Sequence, residues 1–332
     1  MPRDYHDVDQ ARVIEGADIL LKTCGRLRQG ERIAIVCDTT TRVLGDILAE
    51  RAALITSAVH LVEVEPYGMH GQEPPKDAAE QMLLSDLCLG ITAKSMVHTT
   101  ARKTSAARGT RYLSLPDFSL ALMANEVLRV NFEARAVLGA RVAAAFTKGN
   151  EVRVTNPRGT DVRMSIAGRT GNSTPGYVTT PGAMSSPPDI ETYVAPIEDS
   201  ARGVIVVDGS IPFPTLGLVK VPLRLTIEDG RVVDVNGDDP TTVAELKKVF
   251  ASAGSPKAYV LAECGVGLND LATLTGVMLT DEGAAGTVHF GFGSNSTIGG
   301  VNEISFHLDC VLREPTLEVD GLAIIAVGDL KL

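Results

Sequence analysis

No run of about 18 apolar residues occurs in the 332-residue chain, so no transmembrane helix is expected. The opening residues, MPRDYHDVDQ, are polar and acidic with no apolar secretory core behind them, and a cytoplasmic protein is expected. Paired cysteine motifs are missing as well. Cys24, Cys37, Cys88, Cys264 and Cys310 are scattered without a C-x-x-C, which reads as five free thiols in a reducing compartment. An excess of basic charge is also lacking. Residues 1–135 carry 16 Lys and Arg against 18 Asp and Glu, and residues 136–332 carry 15 against 23, within a formal total of −10. That balance argues against nucleic acid and against anionic membranes as partners. It suits a divalent cation or a cationic substrate group, or simply a solvated acidic surface. No G-x-S-x-G elbow and no phosphate-binding P-loop is present, and the Gly-rich GFGSN and STIGG lack the strand-to-helix setting of a dinucleotide fingerprint. No repeat of 20–50 residues is evident.

What is present is ordinary globular composition, 44% hydrophobic and 22% charged, over a length that calls for two domains. In the first half, helical and strand periods alternate. Residues 11–28 repeat apolar side chains at helical spacing and stop at Gly30, and RIAIVCD (32–38) reads as a buried strand. Helices over 40–55, 77–86 and 101–107 then alternate with strands over 58–65, 87–92 and 110–115, the pattern of a mainly parallel sheet flanked by helices. A helical pattern over 120–146 carries the chain onward, and we place the boundary within it, giving an α/β domain over 1–135.

Residues 136–332 form the expected mixed, mostly β domain. Short β-rich runs such as EVRVTN, DVRMSIA and GVIVVDGS are punctuated by Gly, Asn and Pro, and IEDGRVVDV sets an Asp-Gly turn between alternating apolar runs. One helix is expected at 241–253. The long segment 168–189 leads into Glu191 and is read as a substrate-facing loop.

Candidate chemistry gathers in this half. His307-Leu308-Asp309 lies on a strand-like stretch where positions i and i+2 share a face, so both side chains can reach one ion. Imidazole with carboxylate suits zinc, manganese, cobalt or ferrous iron. Taken alone, His-x-Asp is common on surface strands. His289 sits on an apolar run and needs a partner if buried. Glu263 ends an apolar strand, where an unpaired charge is expensive to bury and calls for a cation. Glu191 enters a strand after a proline pair, and Glu282, in TDEGAAGTVH, is a candidate general base or supporting carboxylate.

Three stretches, PPDIETYVAPIEDSARGVIVVDGS, KAYVLAECGVGLN and GTVHFGFGSNSTIGG with FHLDCVLREPTLEVDG, resemble the aminopeptidase T group of metallopeptidases and its sister group, the 2,5-dihydroxypyridine 5,6-dioxygenases. The resemblance covers about residues 187–322. It implies Glu191, Glu263, His289, His307 and Asp309 as ligands of a two-metal centre. In the dioxygenase branch a single ferrous ion is bound by a histidine at the position of Glu263 together with the His-x-Asp pair, and the position of His289 is apolar. Glu263 and His289 therefore restore the peptidase-type set, whereas Ser296 stands where the peptidases carry a tyrosine.

The leading expectation is thus an aminopeptidase-like metal-dependent hydrolase. Two divalent ions (zinc, cobalt or manganese) would activate water, with Glu263 or Asp309 bridging and Glu282 shuttling a proton to the leaving amine of a peptide or small-molecule amide. The competing expectation is a mononuclear ferrous dioxygenase that opens a hydroxylated pyridine-type ring. It would use His307 and Asp309 with Glu263 or His289 as the ligand set. A third reading makes the metal structural, which requires a closed coordination sphere. The related families form closed oligomers, so at least a homodimer is expected.

Overall fold

The computed structural model describes residues 8–332 and divides the chain into two compact units. The first comprises the chain up to Val130 together with Pro175–Pro188, and the second comprises Asn131–Thr174 with Asp189–Leu332. The boundary expected at 135/136 thus falls inside a helix of the second unit, and part of the long segment 168–189 returns to the first.

In the first unit five strands pair in parallel in the spatial order Ala58–Val64, Arg32–Asp38, Leu87–Ile91, Arg111–Ser114, Met184–Ser185. The helices Arg42–Ala53, Lys76–Leu83 and Thr100–Ala107 make the crossovers. Leu87–Ile91 is buried along its whole length, the signature of a parallel strand covered on both faces. The first helix starts at Gln10, where the Asp9 carboxylate accepts from the Ala11 and Arg12 N–H groups, and its last turn widens to a π-helix over Ile19–Cys24. The continuous helix expected over 120–146 is broken. Asn125 and Asn131 accept from the Val127 and Ala134 N–H groups, so each starts a new element, a 3₁₀ turn at Glu126–Arg129 and a helix at Phe132–Lys148.

The second unit holds an eight-stranded and a seven-stranded sheet, and all their strand pairs are antiparallel. The Asp229-Gly230 turn joins Leu223–Glu228 to Arg231–Gly237 with both residues at positive φ, 44° and 72°, as a hairpin of this kind requires. The seven-stranded sheet carries four central strands in the order His307–Arg313, Thr287–Gly293, Leu261–Gly267, Glu191–Val194. One face of these strands is hydrophobic. Phe290, Phe292, Cys264, Cys310 and Leu308 alternate on it, and Phe292 meets Phe250 of the helix Pro240–Ser252 edge to face at 5.7 Å. Burying each such phenylalanine contributes about 1.5–3 kcal/mol, which anchors the strands whose other face carries the polar residues. The Glu191 strand is further pinned by the helix Phe132–Lys148, where Gly139 lets Thr192 Oγ1 donate to its carbonyl at 3.2 Å.

All five cysteines are free and buried. No helix among the described residues is long and apolar enough to cross a membrane.

Candidate metal centre

Strand alternation places residues 191, 263, 265, 267, 289, 291, 293, 307 and 309 on the polar face, and register then sets a glycine opposite each functional side chain. Glu191 pairs with Gly267, His289 with Gly265, Glu263 and Asp309 both with Gly291, and His307 with Gly293. These glycines clear the space the side chains need. A Cβ at Gly265 would lie 2.0 Å from His289 Nε2, and one at Gly291 would lie 2.7 Å from His307 Nε2 and 2.9 Å from Glu263 Cβ. The sequence ECGVG and HFGFG therefore alternates a donor, an apolar anchor for the far face, and a gap.

Into that gap the side chains converge. His289 Nε2 lies 3.1 Å from Glu191 Oε2 and 3.6 Å from Glu263 Oε1, while His307 Nε2 lies 3.2 Å from Asp309 Oδ1 and 3.5 Å from Glu263 Oε2. One ligand atom each from Glu191, Glu263 and His289 lies within 4.8 Å of the other two. His289, Glu263 and Asp309 are at most 8% exposed, and His307, at the rim, is 36% exposed on its side chain. The His307 Nδ1 lies 3.1 Å from the Ser294 carbonyl oxygen. A carbonyl can only accept, so Nδ1 carries the proton and Nε2 faces the carboxylates.

The electrostatics favour positive charge in the gap. Around His307 burial disfavours the imidazolium, but Asp309 and Glu263 outweigh it and push the pKa up to about 10. Burial likewise opposes charge on His289, and Glu191 and Glu263 raise it well above the usual histidine range. Burial pushes Glu191 up against the opposing His289. Asp309 is held low because His307 overcomes the burial penalty. None of the ion pairs among the described residues brings a lysine or arginine to these carboxylates. Glu191 Oε2, despite its nearness to His289, has no partner in hydrogen-bond geometry, and Asp189 Oδ1 and Glu282 Oε1 are also sealed and unpartnered. Sealed carboxylate oxygens facing imidazole nitrogens make a donor set that fits a divalent cation of the zinc, manganese or ferrous type.

All six residues singled out from the sequence come to this unit's polar face or its edge. Glu282, just after the short helix Met278–Asp281, reaches Asp309, and burial with Asp309, Glu191 and Asp189 nearby raises its pKa well above the carboxylate range. Burial and these neighbouring carboxylates favour the protonated form of Glu282 beside Asp309. Ser296 is exposed, its hydroxyl 3.5 Å from that of Ser294. Asp189 was missed. It is 5% exposed and pushed up by burial and by Glu191. The signal for it was present in PPDIE, a carboxylate two residues before Glu191 on the same strand parity.

A sheet face cleared by glycines and filled with buried carboxylates and imidazoles forms a candidate metal site, with Glu191, Glu263 and His289 able to hold an ion. The sequence from residue 15 to residue 332 matches the family described as 2,5-dihydroxypyridine 5,6-dioxygenase (NicX), and the chain belongs to that family. It is 26% identical over 266 residues to the 2,5-dihydroxypyridine 5,6-dioxygenase of Pseudomonas putida, a stretch covering 76% of this chain and 73% of that one. A solved structure of 2,5-dihydroxypyridine dioxygenase from the same organism superimposes with a TM-score of 0.84 at 21% identity, over 98% of both chains. Wild-type AmpT from Thermus thermophilus superimposes with a TM-score of 0.70 at 15% identity, over 97% of this chain and 100% of that one.

The family match overturns the hydrolytic expectation. The chain is placed among dioxygenases along nearly its whole length, so the aminopeptidase and metalloprotease reading is withdrawn. Its likeness to the AmpT structure is one of fold. The physical reason for the error is that the same oxygen and nitrogen donors serve metal-bound water and metal-dependent oxygen chemistry alike.

Proposed function

We propose that the chain is a dioxygenase that opens the ring of a hydroxylated pyridine, with 2,5-dihydroxypyridine as the substrate to test first. The observation that carries this reading is the convergence of His307, Asp309 and Glu263 within 3.5 Å about one imidazole nitrogen, in a chain matching a dioxygenase family from residue 15 to 332. His307 and Asp309 with Glu263 or His289 would supply three ligands on one face of a ferrous ion and leave other positions open. His289, on the far side of Glu263, is a further nitrogen donor within reach. When bound, a ferrous ion supplies the redox chemistry that brings dioxygen to react with an electron-rich ring.

The remaining work falls to the chain's own side chains. The Ser294 carbonyl holds the ring of His307 at Nδ1, and Glu282 stands beside Asp309 as a supporting carboxyl group. Glu191, its pKa raised by burial, is the carboxylate placed to take the proton of a ring hydroxyl, with His289 3.1 Å away to hold it in place. A small-molecule substrate fits this arrangement, and we extend the proposal to a homo-oligomeric, cytoplasmic enzyme. The test is oxygen uptake by the ferrous-loaded protein with 2,5-dihydroxypyridine, with metal content measured in the same preparation. Ring loss without oxygen consumption, or a fully loaded protein inert toward this compound and related dihydroxypyridines, contradicts the proposal.

A further inference from the structure

The segment between the His289 and His307 strands is held by a connected set of hydrogen bonds centred on two buried asparagines, none of them made to a candidate metal ligand. Asn295 is fully buried and Asn302 is 8% exposed. The two residues pair twice, the Asn302 N–H donating to Asn295 Oδ1 at 2.8 Å and the Asn295 N–H to the Asn302 carbonyl at 3.0 Å. The Asn302 amide nitrogen donates to the Gly293 carbonyl at 2.6 Å and the Lys257 carbonyl at 2.9 Å. Glu198, from the stretch following the Glu191 strand, closes the set. Its Oε1 accepts from the Asn295 side chain at 3.0 Å and the Val301 N–H at 2.7 Å, and its Oε2 pairs with Arg169 at 2.6 Å, while Arg169 also donates to the Gly299 carbonyl. Gly300 lies so close to this set that a Cβ there would come within 2.0 Å of Asn295 Cγ.

All of these bonds except the Glu198–Arg169 pair have a partner within residues 293–302, and residue 294 supplies the carbonyl that accepts from His307 Nδ1 at 3.1 Å. Ser294 is further tied at its N–H to the Phe306 carbonyl at 2.9 Å and at its hydroxyl to the Asn302 carbonyl at 3.3 Å. A carbonyl that is free to swing cannot select one ring orientation, whereas one held from both sides can. Second partners of this kind set which nitrogen of a ligating histidine is free, and their loss costs on the order of 10- to 100-fold in metal affinity.

We propose that Glu198, acting through Asn295 and Asn302, is a positioning residue for His307: it fixes the Ser294 carbonyl, which holds the imidazole with Nε2 turned toward Glu263 and Asp309. That Nε2 then serves a metal rests on the proposed function, but the orientation of the ring does not.

The experiment follows the side-chain nitrogen resonances of ¹⁵N-histidine-labelled full-length protein, metal-free and zinc-loaded, with the zinc dissociation constant measured in parallel. Glu198→Ala and Asn302→Ala are expected to shift or broaden the His307 Nδ1–H signal and to weaken zinc binding on the order of 10- to 100-fold. Glu198→Gln keeps an acceptor for Val301 and Asn295 and is expected to stay near wild type. Asp239→Ala, which removes a helix cap elsewhere in the unit, is expected to leave the signal unmoved. Unchanged His307 resonances and zinc affinity in folded Glu198→Ala overturn the proposal. If that variant does not fold, unchanged resonances in Asn302→Ala overturn it equally. If the resonances shift but the wild type binds no zinc or ferrous ion, the positioning role stands and the metal reading falls.

Discussion

Glu263 presents one carboxylate oxygen to each of two imidazoles, Oε1 at 3.6 Å from His289 Nε2 and Oε2 at 3.5 Å from His307 Nε2. Among the described ion pairs it is the residue that links the two halves of the donor set, so its loss should be felt by both. Glu263→Ala is expected to lower kcat/KM on the order of a thousandfold, about 4 kcal/mol of barrier, and to reduce bound iron below one ion per chain. Glu263→His, which gives the site a second imidazole ligand beside Asp309 in place of the carboxylate, is expected to retain iron. Metal analysis and oxygen uptake on the two variants check this, and equal iron loss in both contradicts it.

The cleared face makes a second prediction. Gly265→Ala adds a methyl 2.0 Å from the present position of His289 Nε2. The ring must move, because the opposing backbone is locked in the sheet. Overpacking of this kind costs about 1–3 kcal/mol, so the variant should fold with a lowered melting temperature while losing most of its metal affinity. Wild-type affinity in Gly265→Ala would show that the glycine does not serve His289.

How much of this is legible in the sequence differs from residue to residue. His307 and Asp309 declare themselves because strand alternation is local, and Glu263 and His289 because a charge or imidazole in an apolar run demands a partner. The strand–helix alternation of the first unit is legible for the same reason. Gly265, Gly267, Gly291 and Gly293 escape notice, since their meaning appears only when antiparallel register sets each one across from a donor. The break at Asn125 and Asn131 escapes as well, because alanine-rich flanks hide two caps inside one helical period. The kind of reaction is not written in the donors at all. His, Glu and Asp around a cation serve water and oxygen chemistry equally, and it is the match along residues 15–332 that separates them.

A third prediction concerns acid stability in the first unit. Asp38 is fully buried at the end of its strand, and its carboxylate accepts from the Thr40 N–H at 2.9 Å, the Thr40 hydroxyl at 2.5 Å, the Thr41 N–H at 3.2 Å and the Ala93 N–H at 2.6 Å. Burial pushes its pKa up, yet these bonds outweigh the penalty and hold it below the usual value. A folded pKa depressed below the unfolded one stabilises the protein above about pH 4 and loses that contribution as the pH falls through the folded value. Asp38→Ala is expected to cost about 1–3 kcal/mol at pH 7, and the gap from wild type should narrow below about pH 4. Denaturant titrations at pH 7 and pH 3 measure it, and a gap that widens in acid contradicts the assignment.

Removing the cation should loosen the unit that holds it. A ligand that binds only the folded chain stabilises it by RT ln(1 + [L]/Kd), about 2.7 kcal/mol at a hundredfold excess over Kd. Ferrous ion is expected to raise the melting temperature in proportion to the logarithm of its concentration, and Asp309→Asn to flatten that dependence. A melting temperature indifferent to the ion in the wild-type protein contradicts metal binding at this face.

The most direct measurement is made anaerobically and then with oxygen admitted. The protein is loaded with ferrous ion, 2,5-dihydroxypyridine is added, and oxygen uptake is followed against loss of the ring. The account predicts about one dioxygen consumed per ring opened, consistent with both oxygen atoms entering the product, and no turnover in His307→Ala. Ring loss without oxygen uptake, or full activity in that variant, would contradict it.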